Sequence, residues 1–189
     1  MSGRLFPAIE AGDEELVRAL VAADPALASS RNDDRLSAVL FATYRRQHGI
    51  ADALVDAGAE LDPFDAAATG RTERLKAQLA GDRSLAEARS PDGFTALHYA
   101  AFFADGPTVA VLLDAGADPS AVAENPMLVQ PLHSAAAARN IEGARLLLAA
   151  GADPNAEQQG GFLPLDAAVQ NGDEAMQDLL QAHGARASR

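Results

Sequence analysis

The chain has 189 residues, no cysteine and a net charge of −12, with 44 alanines and 14 arginines to a single lysine. Disulfides, thiol nucleophiles and cysteine-ligated metals are excluded, and the acidity opposes binding to nucleic acid or an anionic membrane. No stretch reaches the roughly 18 apolar residues that cross a bilayer, and Met1-Ser2-Gly3-Arg4-Leu5-Phe6 opens no apolar run of signal-peptide length, so a cytoplasmic protein is expected.

In chain order the expected elements are helices in pairs. The first pair starts at Phe6, and Asp13-Glu14-Glu15 begins its second helix, where carboxylates complement the helix dipole. The second pair runs from Val39 to Gly58. From there Gly58-Ala59-Glu60-Leu61-Asp62-Pro63 leads straight into the next helix at Phe64, with no room for a hairpin. In the fourth pair Leu97 to Phe103 and Thr108 to Ala115 read as the two helices. Val109, Leu112 and Leu113 stand at i, i+3 and i+4 on one face. Gly116 supplies a left-handed stop, and Asp118-Pro119 and Asp153-Pro154 force an extended exit, since the residue before proline avoids the helical region. The last helix presents Asp173, Glu174, Gln177, Asp178 and Gln181 outward, a soluble cap that favours a monomer over end-to-end assembly.

These pairs repeat. The apolar anchors Phe6, Val39, Phe64, Leu97, Leu132 and Leu165 are spaced 33, 25, 33, 35 and 33 residues apart. An offset of 58 aligns Phe6 with Phe64, Gly12 with Gly70, Asp24 with Asp82 and Asp56-Ala57-Gly58-Ala59 with Asp114-Ala115-Gly116-Ala117, without a gap. A period near 33 signals a stacked helical array, and thin alanine-rich layers suit it. Repeats are expected at about 1–32, 33–61, 62–91, 92–126, 127–159 and 160–189, filling one domain over residues 1–189. The arginine and alanine bias suggests a GC-rich bacterial genome.

The segments Asp92-Gly93-Phe94-Thr95-Ala96-Leu97-His98, Pro131-Leu132-His133, Leu163-Pro164-Leu165-Asp166 and Gly151-Ala152-Asp153-Pro154-Asn155 carry a family pattern. The chain resembles the ankyrin repeat over residues 92–189, and the duplication extends the resemblance back to about residue 5. The resemblance implies an all-α ankyrin-repeat solenoid of about six helix-turn-helix repeats with short or missing β-hairpin fingers. It also implies a non-catalytic module for binding another protein. Repeats 1 and 3 depart from the pattern, with Ala23-Asp24-Pro25-Ala26-Leu27 and Gly81-Asp82-Arg83-Ser84-Leu85 in place of Gly-Ala-Asp. Their turns are expected to differ.

His98 and His133, with Asp65 and Asp166 at matching points, form a ladder of one polar residue per repeat. Neighbouring helices stand about 8–10 Å apart, whereas zinc ligands crowd about 2 Å from one ion. No metal site is therefore expected. In the family this histidine bonds to backbone and fixes the turn. Gly160-Gly161 lacks the lysine and Ser/Thr of a phosphate loop. No catalytic constellation and no cofactor are expected. Five of the nine aromatics fall on the first helices of repeats 2 and 4. By analogy with the family, that side lines the concave face. Phe41, Tyr44, Arg45, Tyr99, Phe102 and Phe103 are the candidate partner-binding residues, flanking a trough floored by Ala66, Thr69 and Gly70 of repeat 3. Phe41 and Tyr99 fit either contact with a partner or packing under a neighbouring loop. The net charge fits solubility or a partner with a basic surface. The rival function is a small-ligand-binding protein or an enzyme using the trough between repeats 2 and 4.

Overall fold

The computed structural model describes residues 2–187. Twelve α-helices are found among them: α1 (Leu5–Ala11), α2 (Glu14–Ala23), α3 (Ala38–Tyr44), α4 (His48–Asp56), α5 (Pro63–Ala68), α6 (Thr72–Gly81), α7 (Ala96–Phe103), α8 (Gly106–Asp114), α9 (Pro131–Ala138), α10 (Ile141–Ala149), α11 (Pro164–Asn171) and α12 (Glu174–Ala182). They form six hairpins. The odd-numbered helices pack side by side as an inner row and the even-numbered helices form an outer row.

Local chemistry sets each hairpin. A left-handed residue ends the first helix at Gly12, Arg46, Gly70, Arg139 and Gly172. The next residue then caps the second helix in three of them: Asp13, Asn140 and Asp173 accept hydrogen bonds from the backbone N–H of Leu16, Gly143 and Met176. In the fourth hairpin Asp105 does the same for Thr108. Asp24 and Asp82, at the two departures from the repeat pattern, cap short 3₁₀ turns over Pro25–Ser29 and Arg83–Ala86 by accepting from Ala26 and Ser84. The turns there do differ, and a carboxylate replaces glycine as the stopping device.

Packing follows the alanine count. Ala100, Ala101, Ala135 and Ala136 are fully buried, so α7 and α9 approach closely, and Leu97, Leu112, Leu132 and Leu147 fill the space behind them. Each such leucine contributes roughly 1.5–3 kcal/mol by leaving water. Of the six sequence anchors, Val39, Phe64, Leu97, Leu132 and Leu165 are buried, whereas Phe6 is half-buried with its ring edge-on to Phe41.

The apolar core is split. One cluster gathers α1 to α4, from Leu5 to Leu61, and a second gathers α5 to α12 together with Leu40, which α3 sends across the junction. Inner helices α3 and α5 pack across the junction, but α4 and α6 lack the lateral packing that joins α2 to α4 and α6 to α8. Polar links span the gap instead. The Ser37 hydroxyl donates to Asp65, Arg31 pairs with Asp62 at 2.8 Å, Arg71 pairs with Asp52 at 2.6 Å, and the Gln78 amide donates to the Leu61 carbonyl at 2.8 Å. The short connection Gly58–Pro63 is the cause, since it brings α5 directly behind α4 with no finger.

No strand occurs among the described residues. The fingers are tight turns, such as Ser90 to Phe94 with the Ser90 N–H on the Phe94 carbonyl at 2.9 Å, and each of two carries one isolated bridge, Arg31 with Ser37 and Arg89 with Thr95. Gly93 holds φ at +86°, and a Cβ there would meet the Glu124 carbonyl oxygen at 2.4 Å. That oxygen belongs to the next finger, whose Glu124 N–H donates to Gly93 at 2.8 Å. No described helix is long and apolar enough to cross a membrane.

Candidate functional site

The concave face gathers four of the six expected contact residues. Tyr44, at the end of α3, meets Phe103 edge-on at 5.5 Å and Tyr99 at 6.1 Å. Phe102 stands against Phe103 at 4.7 Å. The two aromatic ridges therefore touch, and the expected open trough between repeats 2 and 4 is bridged. No finger precedes α5, and its one ring, Phe64, packs against Tyr99 at 6.0 Å rather than standing between Tyr44 and Phe103. What remains beside the bridge is a polar hollow of about 390 Å³, where Thr69 and Gly70 face His48, Asp52 and Asp105.

Tyr99 departs from the expectation of a contact residue. It is 2 % exposed, and its hydroxyl donates to Asp92 and stands 3.0 Å from the Ser90 hydroxyl. The Tyr44 hydroxyl donates to the other oxygen of Asp92. Burial and this carboxylate push both phenols well above the ordinary tyrosine range, so both stay protonated donors. Tyr99 supports the surface from below, while Tyr44 is 38 % exposed. Phe41 and Arg45 stand apart. The Arg45 guanidinium lies 4.5 Å over the Phe41 ring and pairs with Glu10 at 2.8 Å, so both belong to a patch shared with repeat 1.

A cavity of about 420 Å³ opens on the other side of Phe103, between the inner helices of repeats 4 to 6 and their fingers. Its walls include Tyr44, Phe94, Phe102, Met127, Val129 and Phe162. Phe94, Val129 and Phe162 share one position, the residue just before the N-cap of α7, α9 and α11. The histidines set that wall. His98 Nδ1 accepts from the Thr95 N–H at 3.2 Å, and its Nε2 donates to the Val129 carbonyl at 3.0 Å. His133 repeats the arrangement with Gln130 at 3.2 Å and Phe162 at 3.3 Å. Each imidazole thus ties its own helix start to the next finger, with both nitrogens engaged. Burial lowers His98 to about 4 and lowers His133 as well, which keeps both neutral. Asp65 and Asp166 reproduce the local half: their carboxylates accept from the N–H of Asp62 and Leu163. Among the described residues no group of three or more metal-ligating side chains comes together.

A family model described as ankyrin repeats, in three copies, matches residues 64–158, half of the chain.

The chain belongs to the ankyrin-repeat family.

No curated protein matches it. The matched span holds three ankyrin hairpins, α5 to α10, and the structure adds two before it and one after. In this ankyrin array the sequence reading missed Phe94, Met127, Val129 and Phe162 as surface formers. A signal for three of them existed: an apolar residue precedes each N-cap, including Leu36 and Leu61 in repeats 2 and 3. Met127 sits at a finger tip where only the fold brings it over the cavity.

Proposed function

We propose that this ankyrin-repeat chain is a non-catalytic interaction module, a cytoplasmic monomer that acts as one domain over residues 1–189 and grips a protein partner on its concave face. One observation carries the reading: an apolar, aromatic-walled cavity of about 420 Å³ open to solvent, continuous with exposed Tyr44 and with Met127, which is 49 % exposed at the finger tip. Exposed aromatic and methionine side chains around a pocket are what binding hot spots use. The wall is rigid, because His98 and His133 lock the fingers to the helices, so little ordering entropy opposes association. Family membership supports the same reading, since ankyrin repeats generally serve as protein-binding scaffolds.

The test compares affinity capture from the native host by the wild type and by a Phe102→Ser, Met127→Ser double variant. Neither residue belongs to the buried core cluster. A partner retained by the wild type and lost by a variant that melts normally supports the surface. A partner retained equally by both removes the concave cavity from the binding reaction.

A further inference from the structure

The cavity has an electrostatic character opposite to that of the chain. Acidic residues number 27 against 15 basic ones, yet none of the 27 lines it. Its histidines are neutral, so its one formal charge is Arg46. Asp92 stands behind the tyrosines, and both its oxygens are occupied by hydroxyls of Tyr44, Tyr99 and Ser90.

Arg46 is also uncommitted. It occupies the left-handed turn position, φ +57°, that glycine fills in repeats 1, 3 and 6. Arg139, at the same point of repeat 5, spends its guanidinium on the Asn171 carbonyl of the next hairpin. Arg45 next door is held by Glu10 and Phe41. The Arg46 guanidinium has no hydrogen-bond or ion-pair partner among the described residues, and it is exposed at the cavity wall beside Tyr44. A planar guanidinium at the mouth of an apolar cavity suits a carboxylate attached to an apolar group. At about 420 Å³ the cavity lies near the small end of ligand sites, a size for side chains of an extended segment rather than for a folded surface.

We propose that the cavity takes a segment of the partner protein in which an aromatic or aliphatic side chain stands beside a carboxylate, the side chain filling the cavity and the carboxylate pairing with Arg46. This rests on the interaction-module reading and specifies its partner. It runs against the basic partner that the net charge alone suggests. Because the net charge of the chain repels an acidic segment at long range, the preference for a carboxylate has to arise at Arg46 and disappear with it.

A random dodecapeptide library displayed on phage and selected on the intact protein tests both levels. The expected consensus is an aromatic or aliphatic residue with Asp or Glu within two positions. The best synthetic peptide should then bind Arg46→Gln at least tenfold more weakly than wild type, with Arg46→Lys recovering part of the loss. Replacing the peptide's acid by its amide should weaken binding to wild type but not to Arg46→Gln, the coupling expected of a direct pair. Peptides that bind through Phe102 and Met127 but show no acid, or that bind Arg46→Gln unchanged, overturn the carboxylate proposal and leave the module reading standing. Peptides indifferent to the Phe102→Ser, Met127→Ser variant, or no enrichment at all, overturn both. Saturable binding of dodecanoate with no enriched peptide to displace it would make the occupant a small amphiphile and equally overturn the proposal.

Discussion

Asp65 and His98 occupy the same point of successive repeats and answer pH in opposite directions. Asp65 is fully buried, and its carboxyl rises to about 7, first through burial and then through the Asp62 charge beside it. A carboxyl raised from 3.8 in the unfolded chain binds more protons when folded. It therefore favours folding fully below 3.8, loses that contribution as pH climbs towards 7, and stays flat above. Asp65→Asn keeps an acceptor for the Asp62 N–H and removes the charge. Its melting temperature should exceed wild type at pH 8 and converge with it near pH 4, with each recovered kcal/mol worth about 2–4 °C in a chain of this size. His98 is lowered from 6.5 to about 4, so its contribution is complete above 6.5 and lost as pH falls through that window towards 4. His98→Gln should flatten the acid limb of a melting-temperature profile between pH 4 and 6.5. An unchanged limb would mean that His98 gains no proton on unfolding.

Two asparagines at the turns between paired helices stitch neighbouring hairpins. The Asn140 side chain caps α10 through Gly143 and also donates to the carbonyls of Ala101 and Ala104 at the end of α7. Asn171, the last residue of α11, caps no helix but donates to the Ala136 and Ala137 carbonyls of the preceding hairpin. Asn140→Ala removes a cap worth about 1 kcal/mol and leaves two carbonyls without that donor. The expected loss is about 1–3 kcal/mol in denaturant unfolding, with the larger value if water does not replace the amide. Helix positions were legible in the sequence, but Asp13, read there as a complement to the helix dipole, is in the structure the side-chain cap of α2. The finger walls were not legible. Val129 and Phe162 look like loop residues until His98 and His133 of the preceding repeats fix their carbonyls, and the Phe94 carbonyl is fixed instead by the Ser90 hydroxyl and N–H.

For the whole molecule the split core matters most. Stability of a repeat array is a sum of neighbour interfaces, and the junction between repeats 2 and 3 has an inner-helix contact, polar links and no α4–α6 layer. Exposed ion pairs such as Arg71 with Asp52 contribute about 0–1 kcal/mol each, too little to replace an apolar layer. Native-state hydrogen exchange should therefore show α1 to α4 opening at lower free energy than α7 to α12. A single opening with uniform protection in both halves would show the junction to be as strong as the others.

The period, the helix pairs and the shortened connection before Phe64 were readable from the chain alone, whereas the backbone-bonding role of His98 and His133 came from the resemblance to the ankyrin repeat. The first three are local patterns read from spacing. Folding was needed to show that Tyr44 reaches Phe103 across repeat 3, that Tyr99 is buried over Asp92, and that the cavity lies beyond Phe103 rather than between the aromatic ridges. Those outcomes depend on how far stacked hairpins approach when the layer between them is built from alanine. That distance is set by side chains from three repeats at once, and no single repeat encodes it.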